Sequence, residues 1–266
     1  MKQLWDYLKV SCKIELENQL IFRSNFFVSI LFVIIRVVML LALWSALYQG
    51  KTQVEGISLA TMKCYTIVSI VFELFIACKV ENSITEKVKD GSISMMLTRP
   101  ASYPVTLFIE HLAGTFQAVV VWVVPYLLVI FLCGFAKGAQ LYLGPWFWLS
   151  AAGAYLLMFF YQFFFGMIAF WTQEINGFLQ ARDAVMLVFS GSMVPLWFFP
   201  GRLFSIAQYL PFQAMYSTPL SIMIGKIAGA DIRTALLVQA GWILGFGFLA
   251  QFCWRKSRRR MIVNGG

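Results

Sequence analysis

Charge is scarce in this chain: only 12% of its 266 residues are Asp, Glu, Lys or Arg, against about 25% in an ordinary soluble domain. With 60% of the residues hydrophobic, a soluble globule is excluded. Histidine is nearly missing. His111, beside Glu110, is the only one, and one His without a Cys pair does not furnish a zinc site of the usual kind. The five cysteines, Cys12, Cys64, Cys78, Cys133 and Cys253, are scattered, odd in number and without CxxC spacing, so neither a disulfide framework nor a metal site is indicated. No paired acid and base stands at a useful spacing either; Glu110, His111, Glu174 and Asp183 do not assemble into a constellation, which argues against a membrane-embedded enzyme. A G-x-x-x-x-G-K-[ST] phosphate loop is also lacking. Its nearest approximation, "IGKIAG" at Ile224 to Gly229, has neither the upstream glycine nor a hydroxyl after Lys226.

What the chain has instead is length in its apolar runs. Six blocks stand between short polar segments: Phe26 to Tyr48, Leu59 to Cys78, Val105 to Cys133, Trp146 to Trp171, Ala184 to Phe199 and Ile232 to Trp254. Runs of roughly 16 to 29 residues match a hydrocarbon core of about 30 Å at about 1.5 Å of rise per helical residue. The expected fold is all-α, a single polytopic transmembrane domain over residues 1–266 with spans at 26–48, 59–78, 105–133, 146–171, 184–199 and 232–254. Nothing at the start reads as a cleavable signal, because "MKQLWDYLKVSCKIELENQ" is charged throughout. Its polar residues recur every three to four positions opposite Leu4, Trp5, Leu8, Cys12 and Leu16, the pattern of an amphipathic interfacial helix over 1–24.

Lys and Arg set the expected orientation. With six spans the termini share one side, which holds fourteen of these residues against six on the other, and Arg36 lies within a span. Both termini are therefore expected in the cytoplasm. The net charge of +9 needs no nucleic acid to explain it, since the "RKSRRR" tail suits a topogenic role beside anionic headgroups.

Arg36 sits about ten residues into the first span, where an unpaired Arg costs at least about 2.5–3.5 kcal/mol. Glu73 lies near the end of the second span, and at the helical rise the two differ in depth by roughly 7–8 Å, which a long Arg side chain bridges by leaning. An Arg36–Glu73 pair facing the bundle interior is expected, as a packing device or as part of a path. "GWILG", Gly241 to Gly245, offers a small-xxx-small face for packing on protein. The fifth block is softened at Ser190, Gly191 and Ser192, broken at Pro195 and ended at Pro200. Its freed carbonyls must find partners in protein or water. The stretch at 200–231, interrupted by Pro211 and Pro219 around Phe212, reads as one to two short helices re-entering the outer leaflet as a lid.

Between the second and third blocks lies the polar segment 81–104. Ile84 and Val88 form an i,i+4 stripe, with Glu81, Glu86, Lys87 and Lys89 on the other faces. Gly91 stands where a helix end needs a left-handed residue. Ser92 is placed to cap a second, very short helix carrying Ile93, Met95, Met96 and Leu97, which Arg99-Pro100 closes. Such a surface suits a partner's groove, methionine tolerating its movement, or else rests on the bilayer.

"ITEKVKDGSISMMLTRP" between the second and third blocks, with "FWTQE", "FSGSMVPLWFFP" and "LPFQAMYSTPLSIMIGK" further on, resembles the membrane subunits of type-2 ABC exporters, in particular the branch of drug, antibiotic or viologen exporter permeases. The resemblance spans essentially the whole chain. It implies that Gly91 to Pro100 is a coupling helix seated in a cleft of a separate ATP-binding subunit, with ATP and Mg bound there and no cofactor on this chain. It also implies a second permease, identical or related, and export across the bacterial cytoplasmic membrane. Loops Gln49 to Ser58 and Gly134 to Pro145 are too short for the extracellular domain of larger relatives. The rivals are an ion-coupled transporter, for which mid-membrane charges are few and no internal repeat is visible, and a scaffold that does not transport, which leaves the proline-broken hairpin unexplained.

Overall fold

The computed structural model describes residues 23–77, 79–93, 95, 102–123, 126, 140–172 and 175–264. The expected N-terminal interfacial helix, Met96, Leu97, Arg99 and Pro100, and most of the third block beyond Val123 lie outside the described residues. The described chain is mostly helical. Among the described residues, four helices are long and apolar enough to cross a membrane, within Leu31–Tyr48, Leu59–Lys89, Pro145–Phe170 and Ala230–Arg258.

Helix α1, Arg23–Tyr48, contains neither Gly nor Pro and stops where Gln49 and Gly50 turn left-handed, at φ 43° and 77°. A two-residue hairpin follows, β1 Gln53–Val54 against β2 Ile57–Ser58, with Val54 opposite Ile57. Both turn residues, Glu55 and Gly56, have positive φ, the twist that matches a two-residue hairpin loop. Ser58 then caps α2, Leu59–Ile76, accepting from the Thr61 N–H at 3.1 Å. Helix α1 packs along α2 and leaves Phe32, Val38, Met39 and Leu47 exposed on its far side.

Helix α3, Val80–Lys89, leaves the end of α2 through Lys79, itself left-handed at φ 48°. Helix α4, Tyr103–Ala118, begins with Pro104 in its first turn and loosens into a π-turn at Val119–Val123. Helix α5, Pro145–Gly166, tightens into a 3-10 turn at Met167–Phe170 and is the hub of the bundle, touching α3, the hairpin helices and the last helix. Leu157, Met158 and Met167 on it are fully buried.

The fifth block departs from expectation. Its helix, α6, runs Asn176–Phe189 rather than Ala184 to Phe199, starting eight residues earlier and ending ten earlier. Gly191 takes φ 78° and Ser190 and Ser192 hydrogen-bond each other at 2.9 Å, which ends the helix before Pro195 is reached. At about 1.5 Å per residue, α6 alone is some 21 Å long, shorter than a hydrocarbon core of about 30 Å. The carbonyls released by the break are taken by protein: Tyr65 Oη donates to Gly191 O at 2.8 Å and Ser69 Oγ to Ser192 O at 2.6 Å, both from α2.

Beyond the 3-10 turn Leu196–Phe198, the stretch 200–231 holds three short helices where one or two were expected: α7 Gly201–Gln208, α8 Pro211–Met215 and α9 Ser217–Met223. Pro200 and Pro211 stand at the starts of α7 and α8, where a missing N–H costs nothing. Only α7 fits a lid lying in lipid, with Ile206 and Tyr209 exposed. Helices α8 and α9 are core, every residue from Ser217 to Met223 being buried, Pro219 included.

Helix α10, Ala230–Asn264, is continuous through the basic tail, so "RKSRRR" forms its last turns rather than a loose tail. Gln239, 2% exposed, ties it to the centre: its Nε2 donates to the carbonyls of Ser150 at 3.0 Å and Ala214 at 2.8 Å, and Ser150 Oγ donates to its Oε1 at 3.2 Å. Gly153 makes room, since a Cβ there would lie 3.0 Å from the Gln239 side chain. Gly241 and Gly245, expected to pack against protein, face open space instead, because α10 docks through Gln239, Phe246, Ala250 and Trp254.

Candidate functional site

Helix α3 is not laid loosely on a surface. Val80 N–H donates to Gln162 Oε1 at 3.1 Å, and Val80 and Ile84 are fully buried against α5. The close approach depends on Gly166, where a Cβ would meet Ile84 Cδ1 at 2.7 Å and Glu81 Cα at 3.0 Å. On the opposite flank Lys87 Nζ meets Glu110 Oε2 at 3.1 Å and lies 5.8 Å over the Tyr103 ring, so it belongs to an intramolecular brace to α4. Glu86 is exposed.

The end of α3 follows its sequence. The Asp90 and Gly91 N–H groups bond back to Glu86 O and Val88 O, and Gly91 takes φ 74°. The next turn differs in one respect: Asp90, not Ser92, supplies the capping oxygen, accepting from the Ser92 N–H at 2.8 Å. Bonds from the Ser92 side chain and backbone hold the Asp90 carboxyl below its ordinary value. Ile93, expected at the surface, is 5% exposed and packs with Val80, Ile84 and Tyr103, while Met95 is 73% exposed. One apolar residue anchors the turn and the other is offered outward.

Arg36 Nη2 lies 2.9 Å from Glu73 Oε2, each side chain about one-third exposed (36% and 38%). The pair therefore sits at a half-open seam between α1 and α2 rather than deep in a bundle. Gly191, Pro195 and Pro200 shape the break after α6, and Phe212, 9% exposed, packs edge-on against Tyr161 at 5.9 Å.

Among the described residues the buried charges are Glu81, expected on an outer face of α3, and Arg182, for which the sequence names no partner. Arg182 of α6 and Glu81 of α3, with side chains 5% and 7% exposed, meet at 2.9 Å. Arg182 also donates to Asp183 Oδ1 from Nε at 3.0 Å and Nη2 at 2.6 Å, and its guanidinium lies 5.5 Å from the Tyr161 ring centre and 5.3 Å from that of Phe165. It stands two residues before the expected start of the fifth block at Ala184, so hydropathy places it outside that span. Arg182 and Glu81 wall a cavity of about 430 Å³ between the end of α2, the start of α3, α5 and α6. Among the described residues, no group of three His, Cys, Asp or Glu is placed to hold a metal ion.

The second apolar helix of this membrane bundle thus leads into a helix and turn anchored by Val80, Ile84 and Ile93. The family model described as ABC-2 family transporter protein matches residues 26–265. The chain belongs to the ABC-2 transporter family. An ABC-2 permease is a multi-pass membrane transport component, and ATP hydrolysis is done by a separate ATPase. A search of curated proteins found no match.

Proposed function

We propose that this ABC-2 permease is the membrane half of an exporter of the drug, antibiotic or viologen type, in a bacterial plasma membrane, with six spans and both termini cytoplasmic. It moves an amphipathic or apolar cargo outward, whether drug, antibiotic, peptide or lipid-like. Its ATPase subunits bind ATP and Mg, and a second permease, identical or related, completes the path. Gly91 to Pro100 is the segment that docks on the ATPase.

The observation that carries this reading is the construction of the turn after α3. Val80, Ile84 and Ile93 root it in the bundle while Met95 projects, so a push on its tip is passed to α5 rather than absorbed in a loop. The exposed apolar faces of α1 and α10 suit lipid and a second permease.

The test is to express the chain with its genomic neighbours, purify it in mild detergent and ask whether an ATPase accompanies it, for the wild type and for a Met96→Asp, Leu97→Asp variant. Co-purification that the variant loses while still inserting and folding is the expected result. Failure of any nucleotide-binding protein to accompany the wild type would sink the reading in favour of an ion-coupled transporter.

A further inference from the structure

The last turns of α10 gather charge that the protein does not balance. Arg255, Lys256 and Arg258 are exposed, and among the described residues none of them has a carboxylate within ion-pair distance. Arg259 and Arg260 follow in the same helix, which beyond Asp231 carries no Asp or Glu. Like charges three and four positions apart on a helix repel, so these turns lack the counter-charge that would steady them.

Their position identifies the missing anion. Leu244, Phe248 and Phe252 make an exposed apolar stripe at four-residue spacing. At about 3.6 residues per turn Arg255 falls on that stripe, with Arg258 one turn below it. The run from Ile232 to Trp254 rises about 33 Å, close to a hydrocarbon core of about 30 Å, so both arginines stand at the depth of lipid headgroups. A protein docked beneath the bilayer would meet the end of the helix, whereas an anion on this face belongs to a lipid whose chains lie along Phe248 and Phe252. The inner side of the same turns is fixed. Trp254 is buried and stacks on Tyr103 at 5.2 Å, Ser257 is fully buried, and both rings belong to the cluster that holds Ile93.

We propose that Arg255, Lys256 and Arg258 form a binding site for an anionic phospholipid, its phosphodiester taken by the two arginines and its acyl chains laid along the Phe248–Phe252 stripe. The planar fork of Arg suits a phosphate bidentately. A zwitterionic lipid brings the same phosphate with its charge cancelled by choline, and is the weaker ligand. The site goes beyond a topogenic signal, because it holds lipid on the folded protein, and it requires neither an ATPase nor a cargo. Since Trp254, Tyr103 and Ile93 share one cluster, lipid bound there also steadies the base of the exposed turn after α3.

The test counts lipid on the full chain, purified in mild detergent, by native mass spectrometry during titration with dioleoyl phosphatidylglycerol or dioleoyl phosphatidylcholine. The first phosphatidylglycerol should bind about tenfold more tightly than the first phosphatidylcholine, the difference expected of hydrogen bonds between charged groups. The double variant Arg255→Gln, Arg258→Gln places another good helix former at two exposed positions and should bring the two lipids within about twofold of each other. Arg233→Gln, at the other end of α10, should leave the preference intact. Phosphatidylglycerol should also raise the melting temperature of the wild type but not of the double variant, and inorganic phosphate at the same concentration should raise neither. Equal affinities in the wild type, a preference that survives the double variant or is removed by Arg233→Gln, or a melting temperature raised as much by phosphate as by lipid would overturn the proposal. A double variant that keeps its lipid preference and loses a co-purifying ATPase would overturn it in favour of a protein contact at these turns.

Discussion

Arg182 and Glu81 are 101 positions apart in sequence and 2.9 Å apart in space. The first belongs to the broken fifth helix and the second to the helix that leads into the exposed turn, so a buried ion pair joins α6 to α3. Its geometry leaves little slack, because the guanidinium is also clamped between two aromatic rings and Asp183. Any displacement of α3 along α5 must either carry α6 with it or break the pair.

Removing one member should therefore cost far more than removing both. Arg182→Met leaves the Glu81 carboxylate buried beside Tyr161 and should destabilise the protein by about 3–5 kcal/mol, the range for a broken buried pair. Adding Glu81→Gln to it should restore most of that loss, since two apolar or neutral groups of similar size fill the same space without an uncompensated charge. Thermal unfolding of the purified single and double variants in one detergent reads the comparison. Equal losses in both would mean that the pair is not coupled.

The close fit of α3 on α5 gives a second expectation. A methyl group at position 166 would meet Ile84 Cδ1 at 2.7 Å, on a side chain that is fully buried, and the backbone at Glu81 Cα at 3.0 Å. Gly166→Ala should cost about 1–3 kcal/mol as an overpacked contact. Ile84→Val added to it should recover only part, because the backbone approach remains. Melting temperatures of the three proteins test this, and a disulfide or spin-label distance between α3 and α5 would show the helix lifted outward. Full recovery by Ile84→Val would place the whole strain in the side chain.

Local chemistry was legible from sequence and long-range pairing was not. Gly91 after Lys89-Asp90 announces a left-handed helix end whatever surrounds it, and Ile84 on its stripe marks the buried face of α3. The Arg36–Glu73 contact was readable because a charge inside an apolar run demands a neighbour and helical rise limits the candidates. Arg182 carried the same demand, but it lies two residues outside the block as drawn by hydropathy, and no periodicity links it to Glu81. Nor does composition tell a short helix on lipid from one in the core. Residues Pro211 to Met223 are proline-broken and apolar in either setting, and only the fit against α5 and α10 decides that they are interior.

The Arg36–Glu73 pair lies at a seam that separates packing from passage. Its side chains are each about one-third exposed, so part of the penalty of about 2.5–3.5 kcal/mol for an unpaired intramembrane Arg is already relieved. Arg36→Met and Glu73→Met should each lower the melting temperature and the yield of inserted protein, Glu73→Met more strongly because it strands the cation. The swap Arg36→Glu, Glu73→Arg rebuilds the attraction with its direction reversed. If the pair serves only to hold α1 on α2, the swap should return both yield and cargo export close to wild type. If cargo passes this seam, yield should return while export does not, since the sign of charge met at each depth has been inverted. A swapped protein as poorly inserted as either single variant would mean that α1 is held by something other than this ion pair, with the contact of Trp44 on Phe198, at 5.2 Å between rings, the next place to look.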